Sequence, residues 1–194
     1  RDVAVTGVQT CALPISRLTL LAAMLVAFAA ALPAQKLGPP KLDHVFDLHL
    51  QLGKPQDVGT VSAAGMRRVA IVNGGTLEGP GLPGGPALKG KILPGVDFQV
   101  IHPDGFTEID AHYVVQLESG DSIYIANRGM RHGPADLLAK LNAGESVDQN
   151  KIYFRTIVSI EAAAKSLDWM NKSVFVCMAE RQPTEAIIHV YRLN

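Results

Sequence analysis

Phe106-Thr-Glu-Ile-Asp-Ala-His-Tyr-Val-Val-Gln-Leu117, followed by Glu118-Ser-Gly-Asp121 and then Ser122-Ile-Tyr-Ile-Ala-Asn127, reads as two strands and the turn between them. In the first arm Ile109, Ala111, Tyr113, Val115 and Leu117 take alternate positions, and Glu108, Asp110, His112 and Gln116 lie among the others. Successive side chains of a strand point to opposite faces, so this period sets an apolar face against a polar one. Gly120 supplies the positive φ of a tight turn, and the pair is an antiparallel hairpin.

The same period recurs on both sides of the hairpin. Val45–Leu52 alternates strictly, with Phe46, Leu48, Leu50 and Leu52 on one face. Arg67–Val72 is β-branched and stops at Gly74-Gly75, a bulge or sharp bend. Residues 79–95 are dense in Gly and Pro and read as a loop with one short strand at Lys89–Leu93. Val96–Ile101 is a strand closed by the turn Pro103-Asp104-Gly105. Further strands are expected at Ile152–Ser159, Val174–Glu180 and Ala186–Leu193, with Val174, Val176 and Ile188 turned inward. Pro134–Leu141 reads as a short helix with Pro in its first turn, and Glu161–Trp169 as a second by propensity. Short strands in close succession, without a βαβ pattern, imply a sandwich or a barrel. Closing a sheet removes its edges, so the expectation is all-β: an antiparallel up-and-down β-barrel of about eight strands with two short helices.

Ahead of this pattern, Val5–Ile15 resembles a translated sequencing adapter, and residues 1–16 read as an artefact. Arg17, the apolar run Leu18–Leu32 and the small-residue end at Pro33-Ala34 form a signal-peptide pattern over residues 17–34. The apolar run of 15 residues falls short of the roughly 18 that span a bilayer. Cleavage after Ala34, with Ala31 as the alternative, leaves residues 35–194 as a single domain exported to the periplasm or the cell exterior. Without Arg1, Arg17 and Asp2, the 18 basic and 18 acidic residues become 16 and 17. That balance offers no basic stripe for a nucleic acid. Cys177 is then the single cysteine, so no internal disulfide is expected, and its apolar run Val174–Met178 marks a buried, inert thiol.

Seven segments carry a resemblance: Gly74–Gly81, Leu93–Asp97, Asp110-Ala-His-Tyr113, Ile123–Gly129, Ile152-Tyr-Phe-Arg-Thr156, Trp169-Met-Asn171 and Val190-Tyr191. Their order and spacing resemble the family catalogued as domain of unknown function 3237, over residues 43–194. The resemblance implies a small β-barrel with a central cavity and says little about chemistry. His112 stands where that family usually has Arg, and Phe98 where it commonly has Trp.

Asp97 and Asp110 are the candidate catalytic residues, because a carboxyl desolvated inside a barrel holds its proton closer to neutrality. Alternation alone turns Asp110 towards water, and a ligand-holding barrel with a partly polar lumen leaves that face open. Asn127 and Arg128, at a strand end beside Gly129, are candidate ligand-binding residues, with Arg128 aimed into the barrel mouth to hold a carboxylate or carbonyl. Arg131 and His132 read as a solvated turn. Arg155 joins the ligand-binding set and, pointing inward, would need Asp97 or Asp110 as its partner. Glu78 and Tyr153, from the matched segments, complete it. The pairs Asp47-Leu-His49 and Asp110-Ala-His112 have a spacing open to zinc but no tight His-x-His, and no metal is expected.

The expected function is an exported barrel that takes a small organic ligand, bearing a carboxylate or a carbonyl, into its lumen. As an enzyme it would be an isomerase, lyase or hydratase that works by carboxylate acid–base chemistry without a cofactor. The alternatives are a non-catalytic lipocalin-like carrier and a filled-barrel protein-interaction module. Neither a nucleic acid nor, for the mature form, a membrane is an expected partner, and a homo-oligomer stays open. A cavity lined by at least two carboxylates would mark the enzyme, a wholly apolar one the carrier, and a packed lumen the interaction module.

Overall fold

Ten strands follow one another in the computed structural model, which describes residues 38–62 and 65–194. They are β1 (Leu42–Leu52), β2 (Gln56–Ser62), β3 (Gly65–Gly79), β4 (Leu88–Ile92), β5 (Gly95–Ile101), β6 (Thr107–Leu117), β7 (Ser122–His132), β8 (Tyr153–Ala162), β9 (Phe175–Arg181) and β10 (Glu185–Leu193). Helix α1 (Ala135–Asn142) follows β7, and the four-residue α2 (Asp168–Asn171) follows β8. The expected adapter artefact, signal peptide and cleavage site lie outside the described residues.

Neighbouring strands run β1–β10–β9–β8–β7–β6, and β1 also pairs with β3, so the sheet closes. Strands β4 and β5 lie end to end between β3 and β6, each pairing with both. The circuit therefore has eight positions, all antiparallel, and the expected barrel with two short helices is what the chain forms. Strand β2 pairs only with the first part of β3.

Strand β3 does not stop at Gly74-Gly75. It bends there with φ of +136° and +146° and continues to Gly79, changing partner from β5 to β4. A Cβ on Gly75 would meet the His49 carbonyl oxygen at 1.9 Å, so the bend has no room for a side chain.

Phe46, Leu48, Leu50, Tyr113, Val115 and Ile188 are buried as their alternation implies. Strand β9 is the correction. Val174 is 55% exposed, Val176 is only partly buried, and Phe175, Cys177 and Ala179 face inward instead. The run Val174–Met178 is apolar at both parities, so its period has no phase; Phe175 takes the core, its ring edge-on to Trp169. The second expected helix also yields in part to the sheet. Strand β8 extends to Ala162, whose backbone N–H and carbonyl both bond the Asn171 side chain at 2.8 Å. Helix α1 lies over one end of the barrel, with Leu138 and Leu141 buried in the core.

Candidate functional site

Small side chains in one row of the barrel leave a hole. Ala70 stands opposite Asp97, Asp97 opposite Ala111, and Ala111 opposite Asn127, across β3, β5, β6 and β7. Two alanines flank Asp97 where Tyr113 and Val115 fill the lumen further along β6. The resulting cavity is about 240 Å³, under the C-terminal end of α1, with Ile109, Phe154 and Ile188 among its apolar walls.

Asp97 is the carboxylate in this cavity. The β5–β6 ladder skips Phe98 and Gln99, and the side chain fills the gap. Its Oδ1 accepts the Asp110 backbone N–H at 3.0 Å, and its Oδ2 accepts from Gln99 Nε2 at 2.5 Å. Burial raises its pKa above the ordinary aspartate value; the bonds from Gln99 and Asp110 and the positive charge of Arg131 act the other way.

Arg131 is 4% exposed and also faces the cavity. Among the described residues no carboxylate lies within 4.0 Å of its guanidinium. Its Nη2 makes one long contact, 3.5 Å, to Asn142 Oδ1, and its guanidinium carbon stands 5.8 Å from the Phe154 ring centre. Its Nε has no acceptor among the described residues. Burial, then repulsion from Arg181 and Arg68, lowers its pKa to about 10, with Asp97 opposing. Arg68 is itself held by Asp57 through bonds of 2.6 and 3.0 Å. Among the described residues the Arg181 guanidinium has only a 3.5 Å contact to the Glu185 carbonyl, and burial lowers its pKa as well.

Among the described residues three further buried polar atoms, Asn127 Oδ1, Tyr113 Oη and Thr156 Oγ1, make no hydrogen bond of good geometry, with Tyr113 beside Asn127 and Thr156 beside the Cys177 thiol. Leaving such a group unpaired costs about 1–3 kcal/mol, and of the three only Asn127 lines the cavity. Cys177 lies in the same barrel interior, and burial pushes its thiol up to about 12, which keeps it inert.

Of the residues singled out from sequence, Asp97 and Asn127 meet in the lumen and the others do not. Arg128 follows Asn127 directly on β7, so the two cannot share a face. Its side chain is 67% exposed, and its Nε donates to Asp110 Oδ1 on the outer wall at 2.8 Å. Asp110 also accepts from His112 Nε2 at 2.8 Å, and Arg128 is first among the influences that lower its pKa against the opposing effect of burial. Arg155 is likewise outside, 5.0 Å over the Tyr153 ring and bonded to the Phe154 carbonyl; it reaches neither aspartate. Tyr153 and Glu78 are exposed on the outer face. Asp47 bonds His44 and His189, and His49 bonds Glu185, so the two Asp-x-His pairs stand in separate outer networks.

Arg131 reverses its reading as part of a solvated turn, because β7 runs on to His132 and keeps Asn127's parity four residues later. The same step of two leads from Asp97 to Gln99 and from Ala179 to Arg181. Continuing the inward parity past the last apolar residue would have found Arg131 and Arg181, and Gln99 lies between Asp97 and the buried Ile101 on one parity.

Fold and lumen together define a small closed β-barrel with a charged, partly apolar cavity. The chain belongs to the family described as "Protein of unknown function (DUF3237)", whose model matches residues 40–193, in agreement with the motif resemblance. A UPF0311 protein of Clostridium acetobutylicum is 33% identical over 153 residues, 78% of this chain and 93% of that protein. The crystal structure of a conserved protein of unknown function from Rhodopseudomonas palustris matches with a TM-score of 0.74 at 32% identity, over 82% of this chain and 100% of that one. A hydroalkoxylation enzyme of Penicillium herquei is 28% identical over 101 residues, 52% of this chain and 63% of the enzyme.

Proposed function

We propose that the lumen is the active site of an exported enzyme that adds an O–H group across a carbon–carbon double bond, or removes it, with Asp97 moving the proton. The observation that carries this reading is the placement of Asp97, a carboxyl of raised pKa in a cavity opened by two alanines. Such a group holds a proton nearer neutrality than an exposed aspartate does, which suits general acid–base work. The name of the Penicillium relative supports the same reaction class, since hydroalkoxylation is the addition of an alcohol O–H to an alkene.

The step balances on one residue. Protonated Asp97 gives its proton to one alkene carbon while the hydroxyl oxygen bonds to the other, and the hydroxyl proton returns to the carboxylate. Run backwards, this is an elimination. Asp97 lines the cavity without Asp110, so one carboxyl delivers and takes the proton on one face of the substrate, and the addition is syn.

The purified protein would be incubated in D₂O with a panel of α,β-unsaturated carboxylates and their methyl esters, and deuterium at carbon read by NMR. Wild type introduces the label and Asp97→Asn does not. A panel compound that binds and is recovered without label would favour the carrier and overturn the enzyme. Intact mass of the product exported by a bacterial host, beginning at Gln35, tests the location.

A further inference from the structure

We infer that this lumen selects an organic monoanion with a body about one aromatic ring in size, its negative group held by Arg131 and Arg181. The inference rests on the reading of the lumen as the substrate site and adds the charge and size of what enters it.

The charge follows from a count of partners. Arg68, Arg131 and Arg181 face the cavity together with one carboxylate, Asp97. Arg68 is satisfied by Asp57. That leaves two guanidinium groups to one carboxyl, and neither lies within 4.0 Å of a carboxylate among the described residues. Arg131 is almost wholly removed from water, and its Nε presents an N–H with no acceptor. An uncompensated buried charge is strongly destabilising, and an anionic group brought by a ligand would offset that cost. The planar guanidinium then offers forked hydrogen bonds to a carboxylate or an ionised enol.

The monoanion is favoured over phosphate by what else faces the cavity. Helix α1 presents its C-terminal end there, Asn142 to Gly144, where backbone carbonyls carry partial negative charge. Asp97 adds to this. The size follows from volume. A cavity of ~150 Å³ admits benzene, and a water-sized group takes ~30 Å³. The lumen, at about 240 Å³, has space for one ring and about three further heavy atoms, with the Phe154 ring as one wall.

The test is isothermal titration of the protein with benzoate, its neutral isostere benzamide, and inorganic phosphate. Benzoate binds about tenfold or more tightly than the other two; Arg131→Met loses about the same factor, and Arg131→Lys falls between. If circular dichroism shows Arg131→Met unfolded, Arg181→Met carries the comparison. Equal affinity for benzoate and benzamide, undiminished affinity in the folded Met variant, or no benzoate binding at millimolar concentration overturns the inference. The two readings fail separately. Methyl esters labelled as fast as free acids would remove the anion requirement and leave the acid–base role of Asp97. Arg131-dependent benzoate binding with no label in any substrate would do the reverse.

Discussion

Replacing Arg131 by Met should stabilise the ligand-free protein, contrary to what most substitutions of a buried residue do. Met keeps the unbranched length of the side chain and removes the charge. In the folded protein the guanidinium is nearly dry, with one 3.5 Å contact, a ring face 5.8 Å away and no carboxylate within 4.0 Å among the described residues. In the unfolded chain it is hydrated. Exchanging buried ionic groups for packed apolar ones of similar volume gains about 1–4 kcal/mol. Against that stand the Phe154 contact, worth about 2 kcal/mol for a desolvated pair, and the attraction of Asp97. From the upper end of that range the net gain is about 1–2 kcal/mol, and at about 2–4 °C per kcal/mol for a domain of this size Tm rises by about 2–8 °C. Urea titration and thermal melts in buffer without organic anions read it directly. The pH profile carries a second signature. With its pKa lowered to about 10, the native state sheds this proton before the unfolded chain does, so wild-type stability recovers as pH rises through 10 and the advantage of Met shrinks. A Tm that falls by several degrees would show that Arg131 is already compensated without a ligand, and the anion site would lose its foundation.

Asp97→Asn should fold and lose all carbon labelling. Its native carboxyl keeps a proton that the unfolded chain releases near 3.8, so wild type should lose stability relative to the variant as pH rises above 3.8, until the folded carboxyl has itself ionised. Asp47, Asp57 and Asp110, whose pKa values are lowered, act in the opposite sense but cancel in that difference, which urea titrations at stepped pH measure. Gly75→Ala should cost about 3 kcal/mol or more, because φ is +146° and the Cβ would lie 1.9 Å from the His49 carbonyl oxygen; a melt unchanged within a degree or so would refute the described bend. Arg128→Ala removes an exposed pair with Asp110, so stability changes by no more than about 1 kcal/mol and benzoate affinity stays the same by titration.

The barrel was legible because its core strands carry period two with a clear phase. Thr107–Leu117 and Leu42–Leu52 each set bulky apolar groups on one face, and closure followed from having too many strands for an open edge. Where phase was missing the reading slipped. Val174–Met178 is apolar throughout, and Gln56–Ser62 has no apolar period, since β2 extends β3 at the barrel's end with Val58 and Val61 exposed. Glu161–Trp169 has the composition of a helix, but Ile160 is buried and its strand draws the next two residues into the ladder. In the site, Asp97 and Asn127 were found by residue type, and Arg128 was misplaced by it. Type alone does not tell Arg128 from Arg131; parity along β7 does, and Gly129 and Gly133 mask the strand's continuation past Asn127.

A crystal soaked with selenophene-2-carboxylate, one ring and three further heavy atoms, tests the central claim most directly, since the selenium's anomalous signal locates the ring whatever else is bound. The account predicts selenium in the lumen, the ring against Phe154 beside Asp97, and the carboxylate within hydrogen-bonding distance of Arg131. Selenium only in the outer groove beside Tyr153 and Met178, with no organic density between Asp97 and Arg131, would contradict it.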